Sequence, residues 1–383
     1  MTKHQQRVKE VEDFFNNKDT VLGFRKLLDC AMDTQDMGIY KEAIALTDWK
    51  EQNPESTDEF IGKSRVLLQK IEKVSVQEYP VEKPIITAKN IQKSYGSNRF
   101  SLGPVSMEIK KGQVYGLVGE NGNGKTTLLR ILAKEISFNK GSLDYVFSSD
   151  PENEYDLRTK LVYIPQRTAK WYGSLKDNLK FVLANYGVSP EENETRTLMM
   201  IARLGLWNYK HLKWSELSSG YKMRFELART LLRKPEMLLL DEPLANLDVL
   251  AQQIILEDLK SIANSVNHPI ALILSSQQLY EVEKVSDKVI FLKNGQYKDN
   301  SELNETDTDH LIIEIDTPAS REELLEVFQN LSMEKLNYNG GVYVTYFSKE
   351  TEFYDVMAAL GNAKINIVYI RNISSSTRRF FVN

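Results

Sequence analysis

Residues 119–127 read Gly119-Glu120-Asn121-Gly122-Asn123-Gly124-Lys125-Thr126-Thr127 and match G-x-x-x-x-G-K-[ST] at every fixed position. The preceding Gln113-Val114-Tyr115-Gly116-Leu117-Val118 is an apolar run of strand type, and the following Leu128-Leu129-Arg130-Ile131-Leu132 is of helical type. In such a strand–loop–helix setting the pattern cradles phosphates. Its glycines let successive backbone N–H groups converge on an anion, and the positive end of the following helix helps hold it. Lys125 is expected to reach the outer phosphates and the Thr126 hydroxyl to ligate magnesium. Asn121, Gly122, Gly124 and Thr127 complete the expected lining.

Working outward, a chain of 383 residues has room for two or three domains and a sizeable core. Its 49 basic and 53 acidic residues leave a net charge of −4, which argues against binding nucleic acid by bulk charge. The single cysteine, Cys30, can form no internal disulfide and points to a reducing compartment. It is either a reactive thiol or, as its apolar helical surroundings favour, a small core residue. The histidines His4, His211, His268 and His310 show no metal-ligand spacing. No apolar run approaches the ~20 residues that span a bilayer, and the N-terminus lacks a signal-peptide core, so a soluble cytoplasmic protein is expected.

Residues 1–80 show helical spacing throughout, as in Val21, Phe24 and Leu28, or Ile61, Ser64, Leu68 and Ile71. This N-terminal bundle is either a partner-docking module or an appendage packed on its neighbour. Pro80 and Pro84 bound a short linker. From residue 81 to 300 strand-like and helical runs alternate, including Leu161–Ile164, the helical Thr197–Leu204, the apolar Met237–Leu240 and the strand Ile270–Leu274. That alternation predicts an α/β domain with a parallel core sheet. Within 301–383, strands at His310–Ile315, Met333–Tyr338, Val342–Phe347 and Ile365–Ile370 alternate with helices at Glu322–Leu331 and around Phe353–Leu360. Asn339-Gly340-Gly341 marks the hairpin, and the β-α-β-β-α-β order is that of a ferredoxin-like α+β module. Neither terminal part carries a cluster of phosphate or metal ligands, so both read as docking or regulatory parts.

Two acids complete the central constellation. Asp241 ends an apolar strand, where a carboxylate can hold magnesium opposite Thr126. Glu242 follows it and can act as general base on an attacking water. Gln166, at the end of another strand-like run, is placed to bridge magnesium and that water.

At this point the chain resembles the ATP-binding subunits of ABC transporters, over roughly Ile85–Lys298. Tyr95 sits where that family stacks an aromatic on adenine. Gln166 matches the Q-loop glutamine, and Leu217-Ser218-Ser219-Gly220-Tyr221 stands for the LSGGQ signature, with Ser219 and Tyr221 as departures and Ser218 and Gly220 retained to face phosphate. Leu244-Ala245-Asn246-Leu247-Asp248 stands at the D-loop. Gln277 occupies the place of the switch histidine, which implies a weakened hydrolysis. The resemblance implies a MgATP-hydrolysing subunit with Lys125, Glu242 and Gln277 as catalytic residues. It pairs with a second ATPase subunit, giving a homodimer, and drives a separate integral membrane transporter subunit from the inner face of the cell membrane. The C-terminal module narrows the likeness to ATPases of ABC-2-type exporters. The alternatives are a soluble ABC ATPase acting on ribosomes or DNA, or a nucleotide-gated regulator. The single phosphate loop and the lack of sustained heptads between Thr127 and Leu217 weigh against the first, and no nucleic-acid partner is expected.

Overall fold

The computed structural model describes residues 1–79, 84–96, 100–147, 154–277, 282–299, 310–339 and 341–374. The linker residues 80–83, the acid-rich stretch 148–153, the start of the helix expected from Gln278, the polar run 300–309, Gly340 of the hairpin and the terminal residues from Ser375 lie outside these.

The chain opens with helices α1 (Lys3–Asn16), α2 (Thr20–Thr34), α3 (Met37–Gln52) and α4 (Thr57–Glu72). Their starts are written in the sequence: the side chains of Thr2, Asp19 and Asp36 accept hydrogen bonds from first-turn N–H groups. Phe15, Phe24 and Phe60 meet edge-on in the interior, with ring centroids 6.5 and 5.2 Å apart. Each such buried ring contributes roughly 1.5–3 kcal/mol. Cys30 lies in the same interior, and burial pushes its thiol up to about 12, so it is a core residue and not a nucleophile.

Two sheets follow. An antiparallel sheet has the order β2–β1–β4, from β1 (Pro84–Ser94), β2 (Ser101–Lys110) and β4 (Lys140–Tyr145). The second sheet is built from β3 (Val114–Val118), β5 (Leu161–Ile164), β6 (Met237–Leu240), β7 (Ala271–Ser276), β8 (Lys288–Lys293) and β9 (Gln296–Asp299), in the order β5–β6–β7–β3–β8–β9. Its first five strands are parallel and β9 returns antiparallel. β3, β6 and β7 are buried on both faces, which is why they read as continuous apolar runs without alternation. Tyr115, Leu117, Leu239 and Ile273 face the antiparallel sheet and α5 (Lys125–Leu132). Val114, Val118, Leu238, Leu240, Leu272 and Leu274 face the opposite helical layer.

That layer holds α7 (Leu175–Asn185), α8 (Pro190–Arg203), α9 (Ser219–Leu231) and α10 (Val249–Ala263), while α6 (Glu154–Lys160) precedes β5. α8 starts earlier than the Thr197 expected from apolar spacing, because Ser189 caps it and Pro190 occupies the first turn. The layer and the N-terminal bundle share one continuous apolar core. They are also joined by buried charge: Arg203 on α8 donates to Asp29 of α2 at 2.6 Å and to Asp258 of α10 at 2.5 Å. Arg7 of α1 meets Asp33 at 2.5 Å and Ser261 at 3.0 Å, and Arg25 pairs with Asp258.

The C-terminal part contains β10 (His310–Asp316), α11 (Arg321–Val327), β11 (Met333–Asn339), β12 (Val342–Ser348), α12 (Phe353–Asn362) and β13 (Tyr369–Asn372). Its antiparallel order β11–β12–β10–β13 is the ferredoxin-like one. The last strand begins at Tyr369 and not at Ile365, since the Ile365 N–H still closes the end of α12 by donating to the Leu360 carbonyl at 3.0 Å. Arg371 of β13 reaches Glu283 beside the parallel sheet at 2.9 Å.

Candidate functional site

The parallel register puts the carboxyl ends of four strands side by side: Val118 opposite Ser276, Ile164 opposite Leu240, and Leu240 opposite Leu274. Whatever follows these strands therefore meets at one edge, the usual ligand-binding edge of an open α/β sheet.

From β3 the chain turns at Gly119, where an added Cβ would lie 2.4 Å from the Leu292 carbonyl, so only glycine fits. The Asn123 amide oxygen accepts from the Asn294 N–H at 2.9 Å and ties the loop to the β8–β9 turn. Gly124 has φ +99° and begins α5 without a side-chain cap, so the first-turn N–H groups face the loop and no capping oxygen. The Lys125 side chain is 5 % exposed and folds back over the loop, its Nζ donating to the carbonyls of Gly119 at 2.6 Å and Glu120 at 3.2 Å. Asn121, Gly122 and Thr126 are exposed on the open side, and Thr127 is half-buried.

Asp241 and Glu242 emerge from β6 opposite this loop. Asp241 Oδ2 accepts from Thr126 Oγ1 at 2.8 Å and from the Tyr163 hydroxyl at 3.1 Å, and its Oδ1 accepts from Ser275 Oγ at 2.8 Å. Burial, and next the Asp241 carboxylate, push the Tyr163 phenol up, so it stays a donor at neutral pH. The Glu242 backbone has φ +46°, a strained conformation for a residue with a side chain, and its N–H donates to Ser275 Oγ at 2.8 Å. Its carboxylate accepts from Gln166 Nε2 at 2.8 Å and from Gln277 Nε2 at 3.0 Å, and lies 3.6 Å from Lys125 Nζ.

Lys125, Thr126, Gln166, Asp241, Glu242 and Gln277 thus form one connected cluster. Tyr95 stands at one remove: it is 44 % exposed, and its N–H donates at 3.3 Å to the carbonyl of Phe100, whose ring abuts Gly124. Ser218 and Gly220 stand at the start of α9. Ser218 caps α9, Ser219 Oγ donates to the Asn246 carbonyl at 3.1 Å, and Gly220 packs near Ala251 of α10. The signature therefore borders the D-loop of its own chain. Tyr221, the departure from glutamine, stacks on Tyr209 with ring centroids 3.8 Å apart.

Ser275 and Tyr163 join the cluster without any motif to announce them. Ser275 lies near the end of β7, two residues before Gln277, and Tyr163 is one residue of an apolar strand. Neither belongs to a motif, because their contacts run between strands.

The ABC transporter family model matches residues 102–245. The lantibiotic transport ATP-binding protein SrtF of Streptococcus pyogenes is 33% identical over 212 residues, covering 55% of this chain and 88% of SrtF. The phosphonates import ATP-binding protein PhnC of Treponema denticola is 28% identical over 227 residues, covering 55% of this chain and 87% of PhnC. In fold, the chain is similar to cbiO1 of Clostridium perfringens, part of the ABC transporter complex cbiONQ, with a TM-score of 0.52 and 23% identity over 59% of this chain and 92% of that one.

Proposed function

This chain belongs to the ATP-binding proteins of ABC transporters, and from that premise we propose that it hydrolyses MgATP at an interface between two copies of itself to drive a separate membrane subunit from the inner face of the membrane. The observation that carries the catalytic part is the single cluster joining Lys125, Thr126 and Asp241 to Glu242, Gln166 and Gln277. Thr126 Oγ1 and Asp241 Oδ2, 2.8 Å apart, are hard oxygen donors of the kind magnesium takes, and the Gln166 side-chain amide oxygen would be a third. Bound there, the ion would neutralise charge on the phosphate oxygens.

The chain's own residues divide the remaining work. Lys125 exchanges its two loop carbonyls for the outer phosphates. Glu242 accepts the proton of the attacking water as the new P–O bond forms and the bond to the ADP oxygen breaks. Gln166 and Gln277, whose amides meet the Glu242 carboxylate, serve the water and the terminal phosphate. The outward-facing signature, set against the D-loop, supports the two-copy arrangement: it is free to meet the phosphate loop of a second chain. Among the described residues no helix is long and apolar enough to cross a membrane, in keeping with a separate spanning subunit.

The test is Lys125→Ala. Loss of charge-assisted bonds worth about 1.5–3 kcal/mol predicts roughly ten- to a hundredfold weaker MgATP binding by calorimetry. Unchanged affinity in the folded variant would remove the nucleotide reading.

A further inference from the structure

Away from the nucleotide cluster, a cavity of about 110 Å³ lies between the N-terminal bundle and the helical layer. We propose that it is a binding site for a small amphipathic acid, an aromatic ring or short aliphatic chain carrying one carboxylate. Its inner wall is chiefly apolar, formed by Met32 and Tyr40 of the bundle, Met199 and Met200 of α8, Leu231 of α9 and Ile262 of α10. Three of these are methionines, whose unbranched polarizable side chains reshape around different ligands. An apolar cavity of roughly 150 Å³ accommodates benzene, so at about 110 Å³ this one takes a short chain as it stands and a ring once the methionines shift, with the polar end left at the mouth.

The rim selects the polar end. Arg196 of α8 and Lys234, which follows α9, both border the cavity. Arg196 is paired with Glu192, its Nε 2.6 Å from the carboxylate. The Lys234 ammonium donates at 2.9 Å to the neutral amide oxygen of Gln35, and among the described residues no carboxylate forms an ion pair with it. Partial burial, and next the Arg196 guanidinium, hold the Lys234 ammonium below its ordinary value. A carboxylate arriving at the rim relieves that repulsion and replaces a neutral acceptor with a charged one. The deeper charges offer no such vacancy: Arg7 is matched by Asp33, and Arg203 by Asp29. His268 gives its Nε2 to the Pro235 carbonyl at 2.9 Å. A cation at the mouth over an apolar interior recognises an anion with an apolar body.

The site is unrelated to nucleotide, so the test uses the full chain without it. Methionine methyls are labelled and phenylacetate and hexanoate are titrated by NMR, with phenylacetamide as the neutral isostere. Saturable shifts at Met32, Met199 and Met200 are expected with a dissociation constant on the order of 1 mM, the scale for a ligand of this size. Phenylacetamide, and phenylacetate with the rim variant Lys234→Gln, should each bind roughly fivefold or more weakly, reflecting the stronger charge-assisted bond. Met199→Phe, which fills the interior, should abolish the shifts at Met32 and Met200. No saturable shift with either acid, equal binding of the amide, an unaffected Lys234→Gln, or binding that survives Met199→Phe would each overturn the proposal. The rim variant lies on the surface, so the charge argument stays testable even if the filled variant fails to fold.

Discussion

Glu242 shows how much of this site depends on one hydroxyl. A non-glycine residue at φ +46° stores about 1–3 kcal/mol of strain, and Ser275 offsets it by accepting the Glu242 N–H while donating to Asp241. The same oxygen thus fixes the proposed base, Glu242, and the proposed magnesium carboxylate, Asp241, relative to each other. Ser275→Ala is expected to lower phosphate release about ten- to a hundredfold with a smaller loss of ATP affinity, since its hydrogen bonds position Glu242 and Asp241 and belong to neither the phosphate loop nor Lys125. An equal loss in affinity would make Ser275 a structural residue only. Gln277 meets the Glu242 carboxylate from the end of β7. Its amide reaches the Glu242 carboxylate at 3.0 Å, and in the proposed mechanism it is the donor to the terminal phosphate. It lacks an imidazolium charge, and charge-assisted bonds are roughly twice as strong as neutral ones. Gln277→His should therefore raise steady-state turnover. Gln277→Ala, which deletes a preorganised donor, should lower it by up to about a hundredfold. Alanine turning over as fast as glutamine would instead favour the nucleotide-gated regulator.

At the scale of elements, the joint between α2, α8 and α10 is held by charges taken out of water. Burial opposes ionisation of Asp29, but the Arg203 and then the Arg7 guanidiniums, with the Ser261 hydroxyl, overcome it and hold the carboxyl below its ordinary value. A group lowered in this way contributes stability above its unfolded pKa, near 3.9, and loses it as pH falls through the folded value. Asp29→Ala leaves Arg203 with Asp258 alone, and removing one partner of a buried pair costs about 3–5 kcal/mol. Urea unfolding should show that gap at pH 7 and a narrowing one below about pH 4. A gap independent of pH would assign the effect to lost packing. The bundle is therefore bound to its neighbour by a continuous core and by ion pairs, which answers the choice left open by its helical spacing in favour of packing without excluding a partner on its outer face.

For the whole molecule, the proposed pairing of two copies turns on the signature, which is set against the D-loop of its own chain. A nucleotide shared by two chains stabilises their association by mass action. Glu242→Gln keeps the shape of the base and removes its proton acceptance, so it should accumulate an ATP-dependent dimer visible by light scattering. A variant that stays monomeric at saturating MgATP would point to a different second subunit.

The strand–loop–helix at residues 113–132, the α/β alternation and the ferredoxin-like order were legible from the sequence alone. Each rests on local rules: backbone geometry demanded by glycines, periodic burial, and turn chemistry between neighbouring segments. Gln166, Asp241 and Glu242 could be marked one by one because each follows an apolar strand, and Gln277 only through the family resemblance. Their convergence, and the part of Ser275 and Tyr163 in it, came only from the parallel register that sets the ends of β3, β5, β6 and β7 side by side. The attachment of the bundle was likewise undecidable from spacing, since Asp29, Arg203 and Asp258 lie far apart in the chain and meet only through packing. Local patterns encode elements, whereas contacts between distant residues depend on how apolar faces are buried together, and that is settled by the tertiary structure.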